Sequence, residues 1–275
     1  HYQYTAFIRI DKSMYKQLLH DAAYKAELNR QFIHAVPFPY IIIDNFLHPE
    51  IARTLAKNFP ALSEMNVCYN GLNEKKGEHS RFDTLHPAFT DVKEELMKKE
   101  FVQIIESISG IQKLQTIDDR YGCGLHQGGA GSFLDIHIDY NLHPTLKKQR
   151  LLNLILFLNE QWEEEWSGHL EFWDATGKQC VTRIAPVLNR CVLFICNDIS
   201  YHGYSTIKCP SDVSRKSFYL YFFSDPEKSL LFHDTVFTPS PDDSFWRKQM
   251  IQYKEWAKNS IKRILYYSGL NKWLK

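Results

Sequence analysis

Phe133-Leu-Asp-Ile-His-Ile-Asp-Tyr140 is a short apolar segment in which a histidine and an aspartate sit two residues apart, at His137 and Asp139. Side chains alternate along a strand, so both project from one face and can fill two sites on one metal ion. A third donor is available at His202, within Asp198-Ile-Ser-Tyr-His-Gly-Tyr204. Two imidazoles and one carboxylate, with the remaining positions open, form the facial arrangement that suits non-haem iron(II). In a chain with twelve histidines, a single His-x-Asp reads more simply as a surface or hydrogen-bonded structural pair. The residues downstream shift that weighting.

Thirteen residues beyond His202, Arg215-Lys-Ser217 opens a strand-like run over 217–223. Arg215 and Ser217 share one face of that strand, and Lys216 points to the other. A guanidinium offers two parallel donors in a plane, which suits a carboxylate, and a neighbouring hydroxyl adds a third. Lys216 is the fallback anchor. Metal donors followed by a carboxylate anchor describe a site for iron plus a 2-oxo acid.

Several further motifs stand in order between about 122 and 224. They are Gly128-Gly-Ala-Gly-Ser-Phe-Leu-Asp-Ile-His-Ile-Asp139, Arg150-Leu-Leu-Asn-Leu-Ile-Leu-Phe-Leu-Asn159 with Trp162, and Gly168-His-Leu-Glu-Phe-Trp-Asp174. Pro186-Val-Leu-Asn-Arg190, Tyr201-His-Gly-Tyr204 and Arg215-Lys-Ser217 follow. Together they resemble the Fe(II)/2-oxoglutarate-dependent dioxygenases, particularly the prolyl-4-hydroxylase-like branch. The N-terminal phrase Pro37-Phe-Pro-Tyr-Ile-Ile-Ile-Asp-Asn-Phe-Leu47 is similar to the entry strand and turn of these hydroxylases. A departure falls at Ser167-Gly168, where relatives often carry two glycines.

The resemblance implies a double-stranded β-helix whose open end delivers ligands that are distant in sequence. It implies His137, Asp139 and His202 as iron ligands, Arg215 as the anchor of the 2-oxoglutarate C5 carboxylate, and Ser217 as a second contact. The cofactors it implies are Fe(2+), 2-oxoglutarate and O2, with ascorbate as reductant and succinate and CO2 as products. Related halogenases lack the carboxylate that Asp139 supplies, so the resemblance favours hydroxylation, with desaturation or ring closure open to the same oxidant.

At 275 residues the chain can form one large domain or a core with helical additions. An apolar fraction of 44% with 24% charged residues is ordinary for a globular protein. No apolar run approaches the roughly 20 residues of a membrane helix, and no signal peptide is visible, so the cytoplasm is the default compartment. The six cysteines form no C-x-x-C pair, which removes zinc-ribbon spacing. Cys191 and Cys196 read as small buried thiols, and a disulfide framework is not expected. Charge is uneven: residues 244–275 hold eight Lys/Arg against one Glu, in a chain of net charge +1.

Residues 1–36 read as helical, especially 14–28, before Pro37 and Pro39 impose an extended entry into 40–43. Pro49 starts another helix at the first helical position, and 91–109 reads as helical again. The polar, glycine-containing stretch 63–87 reads as a loop or a substrate-facing insertion. From about Gln112 short strands follow one another, at 133–139, 151–158, 169–173, 191–196 and 217–223, which suggests a sandwich or jelly roll. The expected fold is α+β, mainly β: a double-stranded β-helix (jelly roll, cupin-like) core with flanking N-terminal and C-terminal helices. Residues 1–111 supply helical and strand elements packing on the core, 112–226 the catalytic core, and 227–275 a basic amphipathic helix, in one compact domain.

That last helix, over 243–267, carries Trp246, Met250, Tyr253, Ala257, Ile261 and Ile264 as one apolar stripe. The stripe is expected to pack on the jelly roll or on a second subunit, with membrane-surface or polyanion binding the alternative. A homodimer or an anionic partner through this basic helix is open, and no nucleic acid is expected. Arg150 and Arg190 bind anionic groups or pair within the fold. Asp135, Tyr201, Tyr204, His126 and His143 shape the pocket or serve the structure. The substrate is a small molecule or a polypeptide: peptidyl proline or another protein side chain, an amino acid, or a saccharide or carrier-bound compound. Two rival functions stay open: a non-catalytic jelly-roll binding module, and a cupin-type metalloenzyme indifferent to 2-oxoglutarate.

Overall fold

The computed structural model describes residues 13–268. Among them run thirteen strands. The first seven are β1 Tyr40–Ile43, β2 Val67–Asn70, β3 Glu74–His79, β4 Gln115–Thr116, β5 Cys123–Gly128, β6 Phe133–Ile138 and β7 Gln149–Phe157. The rest are β8 Leu170–Trp173, β9 Cys180–Ile184, β10 Arg190–Ile195, β11 His202–Tyr204, β12 Arg215–Ser224 and β13 Val236–Phe237. The α-helices are α1 Ala22–His34, α2 Pro49–Lys57, α3 Pro87–Met97, α4 Lys99–Ser109 and α5 Phe245–Tyr267.

Alternation within the long central strands sorts side chains to two faces. In β12, Phe218, Leu220 and Phe222 join a buried cluster with Leu152, Leu154 and Leu156 of β7. Phe32 of α1, Leu55 of α2, Phe89 of α3 and Phe101 of α4 complete that cluster, so the helices cover the outer face of the sheet. The intervening residues Arg215, Ser217, Tyr219 and Tyr221 turn inward and line a cavity. Burying large apolar groups on one face fixes the register, since a slip of one residue would exchange the two sets.

All strands pair antiparallel: ten follow the order β1-β10-β7-β12-β5-β3-β6-β11-β8-β9, while β2 pairs with β3, β4 with β12 and β13 with β6. The sheet turns back on itself at β3, whose Gly77, Glu78 and His79 pair with β5 and whose Glu74 and Lys75 pair with β6. The two halves meet through Phe38, Phe172 and Phe194, with ring centroids 4.7 Å apart for Phe38–Phe172 and 5.1 Å for Phe172–Phe194. This is the double-stranded β-helix expected from the sequence, with helices packed outside it.

Several elements differ from expectation. Within 14–28 a short 3-10 turn at Gln17–His20 precedes α1, whose N-cap Asp21 accepts a hydrogen bond from the Tyr24 backbone N–H at 2.7 Å. The reading of 1–12 as helical lies outside the described residues. The single helix expected over 91–109 is two, α3 and α4, separated at Lys98, whose backbone is extended. The stretch 63–87 holds the β2–β3 hairpin rather than a loop. Polar residues on both sides of β3 erased the alternation that would have announced it. All six cysteines are free, with Cys191 and Cys196 buried.

Helix α5 departs most. Its apolar stripe does not pack on the jelly roll: Trp246, Met250, Tyr253, Ile261 and Ile264 are exposed. The helix is held instead by Ile251, Glu255 and Tyr266, and by Arg247, whose Nη2 lies 2.7 Å from Asp135 Oδ2. The Lys272 and Lys275 charges counted with it lie outside the described residues.

Candidate metal and co-substrate site

His137 near the end of β6 and His202 at the start of β11 are register partners across the β6–β11 pair. Close approach of the two strands depends on Gly203, where an added Cβ would stand 2.6 Å from the Leu134 carbonyl oxygen. Asp139 follows directly after β6, and its Oδ1 lies 3.6 Å from His137 Nε2. His202 Nε2 lies 3.4 Å from Asp139 Oδ2. One ligand atom from each of the three residues falls within 4.8 Å of the others, close enough to hold a single ion.

The donor set suits a divalent metal. His137 Nδ1 and His202 Nδ1 each sit 2.9 Å from a backbone carbonyl oxygen, of Asp135 and Ser200 respectively. A carbonyl only accepts, so each Nδ1 carries the proton and each Nε2 presents a lone pair inward. Burial, with His137 and Arg150 nearby, pushes the His202 imidazole down to about 3 despite the opposing Asp139 charge, which keeps it neutral and able to ligate. Burial alone would raise the Asp139 carboxyl, but Arg150, His202 and His137 hold it well below the usual carboxylate range.

Two residues fix that carboxylate. Asp139 Oδ2 accepts from Arg150 Nη2 at 3.0 Å and from Asn153 Nδ2 at 2.7 Å. Both occupy the oxygen away from His137, leaving Oδ1 for a metal. Arg150 lies over the Tyr221 ring at 3.4 Å and bonds Asn153 Oδ1 through Nε at 2.7 Å. Arg150 and Asn153 are three apart, so strict alternation would send them to opposite faces. The register skips Leu151, with Phe222 opposite Leu152 and Phe223 opposite Arg150, and this bulge turns both residues inward.

Arg215 and Ser217 line the same cavity, of about 460 Å³, as the three donors. The Arg215 Nε donates to the Gly168 carbonyl at 2.7 Å, and its guanidinium lies over Tyr204 and Phe157, at 4.4 and 4.9 Å from the ring centroids. It forms no ion pair among the described residues, and burial pushes it down to about 10. A buried cation left without an anion is costly unless a ligand supplies the charge. The Ser167-Gly168 turn that positions this carbonyl has φ of 57° at Ser167 and 69° at Gly168. Ser167 thus adopts a backbone conformation that glycine takes more readily.

The remaining sequence candidates fall in several places. Tyr204 packs on Arg215, and Lys216 points away toward Phe59, as alternation requires. Arg190 is bound by Asp44 at 2.7 Å. His143 is fully buried and sits 2.9 Å from Asp119, outside the cavity lining. His126 does line the cavity, stacked on Tyr219 at 4.2 Å. The substrate-facing alternative read for 63–87 agrees with the wall that Tyr69, Glu74, Lys76 and Glu78 of the β2–β3 hairpin form, although sequence reasoning named none of these residues. That reasoning also missed Lys254, Lys258 and Lys262, which α5 presents to the cavity. Their spacing of four residues was the available signal, since it places all three on one helix side.

Residues 123–223 match the family described as the 2OG-Fe(II) oxygenase superfamily. No curated protein matches the chain. Among solved structures the chain is similar to a Pseudomonas putida prolyl-4-hydroxylase, with 17% identity, TM-score 0.52, and coverage of 74% of this chain and 99% of that one. It is also similar to a prolyl hydroxylase from Trichoplax adhaerens, solved in complex with a hypoxia inducible factor oxygen degradation domain peptide fragment. That match has 17% identity, TM-score 0.54, and coverage of 76% and 92%. Described residues include no helix long and apolar enough to cross a membrane. Over residues 123–223 the β-helix is therefore similar to a 2OG-Fe(II) oxygenase domain, on a prolyl-4-hydroxylase-like fold, and the protein is a dioxygenase that uses Fe(2+), 2-oxoglutarate and O2.

Proposed function

We propose that the chain hydroxylates an anionic substrate, with His137, Asp139 and His202 holding iron(II) and Arg215 with Ser217 holding the far carboxylate of 2-oxoglutarate. The observation that carries the site assignment is Arg215, a buried cation with no ion pair among the described residues, in the cavity that contains the three metal donors. Its Nε is engaged by Gly168, which leaves the remaining nitrogens as donors for an incoming carboxylate.

When bound, iron with 2-oxoglutarate and O2 supplies the oxidation, releasing succinate and CO2. The chain's own residues orient and shield that chemistry. Arg150 and Asn153 hold the Asp139 carboxylate in one orientation, and the two backbone carbonyls fix both imidazoles. Phe194, whose ring lies 4.9 Å from that of His202, and Phe237, 5.4 Å from His137, keep water from the rear of both rings.

Charge supports the substrate class. Cavity-lining cations include Lys76, Arg120, Lys254, Lys258 and Lys262 besides Arg150 and Arg215, against Glu74, Glu78, Asp139 and Asp234. Iron(II) and the 2-oxoglutarate dianion offset one another, so the occupied cavity keeps a positive excess. Of the substrate classes open from sequence, those bearing phosphate or carboxylate fit best. The test is stimulation of 2-oxoglutarate turnover by matched sets of phosphorylated, carboxylated and neutral small molecules. Acidic compounds should stimulate, and Lys76→Ala should raise their KM. Equal stimulation by neutral analogues would rule out the charge assignment.

A further inference from the structure

Helix α5 is amphipathic in the reverse of the usual sense. Its buried and charged side faces its own protein, where Ile251 is fully buried and Tyr266 stacks on Phe232 at 4.2 Å. Glu255, the helix's single acidic residue, is also buried there and accepts the Phe237 backbone N–H at 3.1 Å. The apolar side faces outward, with Trp246 76%, Tyr253 72%, Trp256 69% and Ile264 69% exposed.

Half of the sixteen exposed large hydrophobic residues among the described residues lie on this one helix. At about 100° per residue, Phe245, Trp246, Met250, Tyr253, Trp256 and Ile264 fall within an arc of roughly 140°. Soluble surfaces carry such residues singly, and a continuous stripe marks a surface that something covers. The helix runs for about 34 Å, long enough to lie flat on a plane.

The geometry points to an anionic lipid bilayer as the covering surface, with α5 lying in its interface. Tryptophan and tyrosine have apolar bodies and polar tips, and are the residues that settle at headgroup depth. Arg263 borders the apolar arc on one side, with its Nε donating to the Phe232 carbonyl, and Lys254 borders it on the cavity side, with its Nζ on Asn73 Oδ1; both are exposed, and neither pairs with a carboxylate among the described residues. An acyl boundary flanked by anionic headgroups complements that pattern of apolar centre and basic edges. A second copy of the helix would bring no carboxylate to these cations, since Glu255, its single acidic residue, is buried. The opposite side of α5 lines the cavity, so docking would bring the cavity mouth to the lipid surface. The inference stands apart from the reaction assigned to the site.

The test is co-sedimentation of the full chain with phosphatidylcholine vesicles, with and without phosphatidylglycerol, alongside tryptophan emission. The chain should bind the mixed vesicles, release with salt, and shift its emission to the blue. A Trp246→Ser/Trp256→Ser/Ile264→Ser variant touches only exposed side chains, so its Tm should be unchanged while partitioning falls by about tenfold or more. Absence of co-sedimentation, or undiminished partitioning of the variant, would overturn the inference. So would a dimer of the unsubstituted chain that the variant converts to monomer, since a second copy would then cover the face.

Discussion

His137 and His202 stand Cα opposite Cα across β6 and β11, with ring centroids 4.2 Å apart. A strand pairing therefore sets the distance between the two imidazoles. Whatever moves β11 against β6 moves one metal donor relative to the other.

Gly203→Ala tests that coupling. The new Cβ would meet the Leu134 and Asp135 carbonyl oxygens at 2.6 and 2.9 Å, so β11 must shift. Overpacking of this kind costs about 1–3 kcal/mol. We expect a lower midpoint in urea together with a loss of iron affinity larger than a remote substitution of equal stability cost produces. Calorimetric titration with Fe(2+), or Mn(2+) as a redox-stable substitute, measures it.

Arg150→Met should leave Asp139 buried with one fewer donor. Breaking a buried pair on one side costs about 3–5 kcal/mol, and loss of a group that orients a ligand lowers metal affinity about 10–100-fold. Asn153→Ala should show the same direction more mildly. Chemical denaturation and metal titration on both variants check this, and unchanged metal affinity would remove the clamp from the account.

Arg215→Met should separate binding from folding. The guanidinium is buried with no ion pair among the described residues, so its removal should leave the urea midpoint unchanged or raise it. Loss of the buried charge pair with 2-oxoglutarate should cost about 2–5 kcal/mol, or roughly 30-fold or more in KM for the co-substrate. Arg215→Lys should recover only part of this, because a point charge lacks the planar fork. A KM unaltered in Arg215→Met would relocate the carboxylate anchor.

Arg247→Ala should loosen α5 from the metal-bearing strand. Arg247 bonds both Asp135 Oδ2 at 2.7 Å and the Leu72 carbonyl at 3.0 Å, joining α5 to β6 and to the β2–β3 turn. Hydrogen exchange in α5 should rise while the β12 core stays protected. Equal protection of α5 in both proteins would show that Ile251 and Tyr266 suffice to hold it.

The part of the site read from sequence is the part that obeys simple alternation. His137 and Asp139 lie two apart across the end of β6, and Arg215 and Ser217 two apart within β12. Arg150 was read as a residue that binds anionic groups or pairs within the fold, and it pairs with Asp139; that partner and Asn153 escaped because the bulge at Leu151 breaks the period on which the reading rests. The β2–β3 hairpin escaped because Glu74-Lys-Lys-Gly-Glu-His79 serves a charged cavity and carries no apolar face. Periodicity located α5 and its stripe correctly, but it carries no information on which side meets the body of the protein. There the anchors are Ile251, Tyr266 and the Arg247–Asp135 pair, which only tertiary contacts disclose.

Succinate formed from 2-oxoglutarate by the purified chain, with Fe(2+), O2 and ascorbate and no added substrate, tests the site assignment most directly. The account predicts slow, iron-dependent succinate release that His137→Ala and Asp139→Ala each abolish without lowering Tm enough to unfold the protein. Release that persists in both variants, or a chain that binds neither iron nor 2-oxoglutarate, would contradict it.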